Sequence, residues 1–134
     1  MTSTPVPGPA ALPVPAPVPV PVTDADRLDV YRLAVTAQAQ LALFLPRCTP
    51  VLRDQLERAS VSFALNIAEG AGRFSRGEKR RHYSSAHGSA VESAAVLDLL
   101  VARGLVGADE CLPVRALLVR VIQMLVKLER RMAG

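Results

Sequence analysis

The chain has 134 residues, half of them apolar, with 4% aromatics, no Trp, two cysteines and a formal net charge of +4. That length suits one domain with a real core, and an apolar content of mostly Ala, Val and Leu favours helix. Cys48 and Cys111 make no disulfide framework and match no zinc spacing, no run reaches the ~18 apolar residues of a membrane span, and the N-terminus lacks the basic segment and apolar stretch of a signal peptide.

These features predict a cytoplasmic protein without a membrane partner, metal or cofactor. The positive charge favours an anionic partner: nucleic acid, an acidic protein or a membrane surface.

Residues 1–22 stand apart, holding eight of the eleven prolines. Proline fixes φ and pushes its predecessor toward extended geometry, so this segment reads as a polyproline II-like, disordered tail. Residues 23–134 read as four helices. The first runs from a cap at Asp24 or Asp26 to Leu45, with an apolar stripe of Leu28, Tyr31, Val35, Ala42 and Leu45 that Gln38 interrupts. Pro46 and Pro50 bracket a turn.

The second helix spans about Val51 to Ala71, with Gly72 as a left-handed cap. The third spans about Ser75 to Arg103, capped by Ser75 with Glu78 three residues on, along a stripe of Tyr83, Ala86, Ala90, Ala94, Leu97 and Val101. Gly104 and Gly107 punctuate the next turn. The fourth spans about Asp109 to Met132, with Pro113 near its first turn and a seam of Val114, Leu118, Val121, Leu125, Leu128 and Met132.

Four helices on short loops predict an all-α fold, an antiparallel up-down-up-down four-helix bundle. The first and third loops then share one end, which brings Cys48 and Cys111 toward each other. His82 and His87 belong to the opposite end, which argues against a shared metal site.

The second helix has an unusual surface. At ~100° per residue, Gln55, Arg58, Ser62, Asn66, Glu69 and Arg73 form a narrow polar stripe. Leu52, Leu56, Ala59, Phe63 and Ile67 flank it on one side; Val61, Ala64, Leu65 and Ala68 flank it on the other. A helix of a monomeric bundle needs one apolar face, so the second implies another burial partner and predicts self-association. The stripe reads either as a hydrogen-bonded network with Glu69 pairing Arg58 or Arg73, or as a groove that takes phosphate on Arg58 and Arg73. On the third helix Gly88, Ser89, Ala90, Ser93, Ala94 and Ala95 are all small, so Gly88 predicts a close crossing, with Glu92 within reach of Arg58.

Between helices two and three, Arg73, Arg76, Lys79, Arg80 and Arg81 face a lone Glu78. Such a cluster beside the free N–H groups of a helix start is a candidate phosphate-contacting patch, with Ser75, His82 and Tyr83 as polar neighbours. Its alternative is a solvated end that aids solubility. Arg115, Arg120, Lys127, Arg130 and Arg131 make the fourth helix basic too.

The run from Gln55 to Arg73, with Arg58-Ala59, Ser62 and Asn66-Ile67-Ala68-Glu69-Gly70, resembles the central motif of the four helix bundle protein family. This family is also called S23 or rRNA intervening-sequence protein, and it includes the accessory variability determinant of diversity-generating retroelements. Ala86-His87-Gly88-Ser89-Ala90-Val91-Glu92 resembles its second motif. The resemblance implies a bundle that assembles into a homopentameric ring. In the retroelement branch it implies a basic surface binding RNA or DNA and a partner reverse transcriptase. Arg58, Ser62, Asn66, Glu69, Gly70, Gly88, Ser89 and Glu92 would then be structural motif residues. Leu65 and Ala64 depart from the Pro-Ala often found there.

No nucleophile and base stand in a recognisable arrangement, so the expected function is a non-enzymatic, oligomeric nucleic-acid-binding accessory protein. The alternative is a purely structural or protein-interaction module.

Overall fold

In the computed structural model, which describes residues 23–25 and 28–134, the chain runs through four α-helices: α1 (Asp29–Ala42), α2 (Pro50–Gly72), α3 (Arg76–Ala102) and α4 (Ala108–Ala133). The tail expected over residues 1–22 and the cap expected at Asp26 lie outside the described residues.

Helix α1 is shorter at both ends than its sequence pattern predicts. It starts at Asp29, after a backbone turn in which Leu28 N donates to Ala25 O at 2.9 Å, and the extended Leu28 supplies no side-chain cap. It ends at Ala42 because Pro46 has no amide to continue the ladder; the chain passes instead into a 3-10 turn at Leu45–Arg47. The buried line is Val30, Ala34, Ala37 and Leu41. Leu28, Tyr31 and Leu45 only flank that line, and Val35 is 46% exposed. Two alanines at the centre leave room for close packing, and the bulky residues fall to its sides. A stripe read from bulky residues therefore lands on the wrong centre line.

Helix α2 starts as its residues direct. The Thr49 hydroxyl accepts from Leu52 N at 3.5 Å, and Pro50 occupies the first turn, where a missing amide costs nothing. Leu52, Leu56, Ala59, Phe63 and Ile67 are buried. The end of α2 is different from the expected left-handed Gly72. Arg73 is extended there, and among the described residues the glycine at positive φ is Gly104, at +70°. The last carbonyls are satisfied from α3 instead: Lys79 Nζ donates to Gly70 O at 3.2 Å and to Ala71 O at 2.8 Å.

In α3 the Ser75 hydroxyl accepts from Glu78 N at 3.1 Å. Tyr83, Ala86, Ala90, Ala94 and Leu97 are buried as one stripe, joined by Ser93, Val96 and Leu100. The helix closes on Gly104, whose positive φ lets Leu105 N reach Leu100 O at 2.9 Å and Gly104 N reach Val101 O at 3.0 Å. Helix α4 follows, with Glu110 Oε1 accepting from Gly107 N at 3.1 Å. Pro113 sits in its second turn rather than near its first, because the helix starts at Ala108, one residue before the expected Asp109. Its seam buries Cys111, Val114, Leu118, Val121 and Leu125, and Leu128 and Met132 pack partly buried below them.

The helices form a bundle in which α2 packs on α3, α3 on α4, and α1 on both α2 and α4. Contacting residues advance along one helix as they recede along the next: Ser62 meets Ser89 and Asn66 meets His82, while Asp98 meets Arg115 and His87 meets Glu129. The first and third loops share an end, where Arg47 grips Glu110 with both guanidinium nitrogens, one of them at 3.0 Å. The next residue in each case, Cys48 and Cys111, is a buried free thiol in the common core. Burial pushes both thiols above their ordinary pKa. Among the described residues, no helix is long and apolar enough to cross a membrane.

Candidate nucleic-acid interface

The polar stripe of α2 is held by α3 as a chain of hydrogen bonds. Ser89 donates to Ser62 Oγ at 2.9 Å, and Asn66 Nδ2 donates to Ser62 Oγ at 3.1 Å and to Ser62 O at 3.0 Å. A carbonyl only accepts, so this bond fixes the Asn66 amide with Oδ1 toward His82 Nδ1, 3.2 Å away. Oδ1 also only accepts, so the imidazole carries a proton on Nδ1. Glu69 lies 3.6 Å from His82 Nδ1 and 3.8 Å from Arg73. Gln38 of α1 reaches the buried Ser60 at 3.4 Å.

The groove along this stripe, lined by Glu57, Arg58, Ser62, Asn66 and Glu69 among others, mixes both charge signs. Arg58 donates to Gln55 Oε1 at 2.7 Å rather than pairing Glu69. Glu92 is exposed and joins none of the ion pairs among the described residues, so the expected contact with Arg58 is not made.

The close crossing falls at Gly70, not at Gly88. A Cβ on Gly70 would stand 2.8 Å from Tyr83 Cε1 and 3.0 Å from His82 Cβ, whereas a Cβ on Gly88 would meet nothing within 4 Å. Tyr83 is buried, which pushes its hydroxyl above the ordinary pKa, and it serves as packing rather than as a polar neighbour of the basic cluster.

That cluster divides by role. Lys79 caps α2, as described, and Arg73 is engaged with Glu69. Arg76, Arg80 and Arg81 are exposed and make no ion pair among the described residues. Arg80 and Arg81 line a cleft with Gly77, Ser84, Ser85 and Glu129. Glu129 is the carboxylate of that cleft, and His87 Nδ1 stands 3.1 Å from it.

The cleft brings the α4 C-terminus, with Arg130 and Arg131 in its last turn, to the same end as the start of α3. Lys127 and Arg131 line a second cleft there, against Leu28, Asp29 and Val30 of α1. The basic residues of α4 are thus split: Arg115, at the other end, is tied to Asp98 at 3.1 and 3.2 Å.

One further feature was hidden in the sequence. Phe74, in the turn between α2 and α3, is fully exposed at 101%; its residue type suggests core, and only its position between Arg73 and Arg76 hints otherwise. The second apolar face expected on α2 is uncovered at Leu65 (57%), and α3 adds Val91 (47%) and Leu99 (48%).

A family model described as 23S rRNA-intervening sequence protein matches residues 26–127 of the chain. No curated protein gives a significant match.

Proposed function

The chain belongs to the 23S rRNA-intervening sequence protein family, and from that premise we propose that it is a non-enzymatic, self-assembling accessory protein that binds nucleic acid through the basic end of its bundle. The observation that carries this reading is the set Arg76, Arg80 and Arg81, exposed on the first turns of α3 with no carboxylate partner among the described residues. Guanidinium groups are suited to phosphate oxygens, and the start of α3 adds the positive end of a helix dipole. Contacts of this kind position a phosphate backbone and read no bases.

Self-association rests on the outer faces of α2 and α3. Leu65, Val91 and Leu99 are exposed there beside the small Gly88 and Ala95, and a second copy would remove them from water. A closed ring, a homopentamer on the family resemblance, is the proposed assembly. A reverse transcriptase is the proposed protein partner in the retroelement setting, sought by co-purification.

The test is binding of labelled RNA and DNA across a salt titration. Log affinity should fall linearly with log salt, with a slope of ~0.7–0.9 per phosphate neutralised. Replacing Arg76, Arg80 and Arg81 together by Gln should reduce that slope by about two to three. No binding at low salt would sink the reading. It would leave the second one, an assembly module, in which Leu65→Glu disperses the oligomer and the arginine changes are silent.

A further inference from the structure

Phe74 is the most exposed of the large apolar side chains among the described residues. Leu65, Val91 and Leu99 lie within helices, as do Val51 and Leu112, and Leu43 closes α1. Phe74 sits in the three-residue turn between α2 and α3, fully exposed, with Arg73 immediately before it and Arg76 two residues after it. Its ring packs on no part of the core cluster. A turn at this point demands little of residue 74, and the bundle's core is complete without it.

From the turn, a continuous exposed surface runs down α3 through Arg76, Gly77, Arg80, Arg81, Ser84 and Ser85. Gly77 leaves this surface open, since a Cβ there would meet nothing within 4 Å. Arg76 and Arg80 are one turn apart, which sets their side chains as neighbours on one face. The nine steps from Arg76 to Ser85 span about 14 Å at ~1.5 Å per residue. That row is long enough to meet successive phosphates of one strand. The combination is a flat apolar ring beside a row of unpaired cations and hydroxyls. An apolar ring matches the face of an unpaired base, and the cations match its phosphates.

We propose that Phe74 is a stacking platform for an unpaired base, and that the ligand of the basic end is a short single strand whose phosphates run over Arg76, Arg80 and Arg81. The proposal rests on the nucleic-acid reading above and narrows it to single strands. A duplex keeps its bases stacked inside and offers Phe74 no face without unstacking a step. Ser84 and Ser85 donate to the backbone at the far end of the cleft. Glu129, the carboxylate there, limits how far the strand extends toward α4. Stacking on a phenyl ring is indifferent to sugar, so oligothymidylate and oligouridylate both engage the ring.

The experiment compares wild type, Phe74→Ala, Phe74→Trp and the Arg76/Arg80/Arg81 triple Gln variant. Each is titrated against labelled oligothymidylate, oligouridylate and a duplex of equal length. A 2-aminopurine base in the single strand reports stacking directly. Phe74→Ala should weaken both single strands between about 5-fold and about 100-fold, abolish the 2-aminopurine change, and leave duplex affinity and the salt slope as in wild type. Phe74→Trp should keep or tighten the single strands.

An unchanged single-strand affinity in Phe74→Ala, with wild type binding well, overturns this proposal and leaves the parent reading standing. An equal loss on single strand and duplex, or a change in the mass of the protein in solution, also overturns it, because Phe74 would then be serving the fold or an interface. Wild type binding no nucleic acid at low salt overturns both readings together.

Discussion

Replacing Gly70 and Gly88 each by Ala gives a sharp test of where α2 and α3 come closest. Both glycines are helical, and Ala is favoured over Gly in a helix by ~1 kcal/mol. At Gly88 the new methyl points into open space, so the full gain is expected. For a domain of this size ~1 kcal/mol raises Tm by about 4 °C.

At Gly70 the methyl would lie 2.8 and 3.1 Å from two ring carbons of Tyr83 and 3.0 Å from His82 Cβ. Tyr83 is 3% exposed, so its ring cannot swing away, and overpacking of this kind costs ~1–3 kcal/mol. The helix gain offsets ~1 kcal/mol of that. Gly70 lies in the last turn of α2, where the propensity gain is no larger than at mid-helix Gly88, so the clash dominates the difference: Gly70→Ala should melt at least about 4–12 °C below Gly88→Ala.

The assay is thermal unfolding by far-UV circular dichroism, with the mass in solution measured on each sample. A Gly70→Ala protein that melts with or above Gly88→Ala would refute the tight crossing. A Gly88→Ala protein that loses both Tm and mass would place a second chain against the outer face of α3.

Two other outcomes follow from the ends of the bundle. Lys79→Met, which keeps the stem and removes the ammonium that caps Gly70 and Ala71, should cost ~1–2 kcal/mol. Arg80→Met, without such a bond, should cost almost nothing, and equal losses in the two urea titrations would contradict the cap. Arg47 holds the Glu110 carboxyl below the usual carboxylate range, chiefly through their hydrogen bonds. A depressed folded pKa stabilises the fold above the unfolded pKa and is lost as pH falls through the folded value. Wild type should therefore melt above Glu110→Gln at neutral pH, and the gap should close below about pH 4; a gap that persists in strong acid would show that charge is not its cause.

The number and order of helices, the α4 seam, the buried line of α2 and the start at Ser75 follow from local chemistry; the cap at Thr49 is as local, although Pro50 reads in the sequence as part of the turn. Apolar spacing, a capping hydroxyl and a proline at a first turn act within a few residues. The basic cluster was equally visible as a run of residue types.

What tertiary structure decided is which of several equivalent residues does each job. Sequence cannot show that α1 centres on Ala34 and Ala37 rather than on its bulkier neighbours, because the choice depends on how near α2 and α4 stand. It cannot tell Gly70 from Gly88, since only the approach of Tyr83 and His82 distinguishes them. Of five clustered cations, Lys79 turns inward to the carbonyls of α2 and Arg73 to Glu69, which leaves Arg76, Arg80 and Arg81 outward. Phe74 is apolar by type and exposed by place. A side chain's type states what it can bond to, and the fold alone sets what lies within reach.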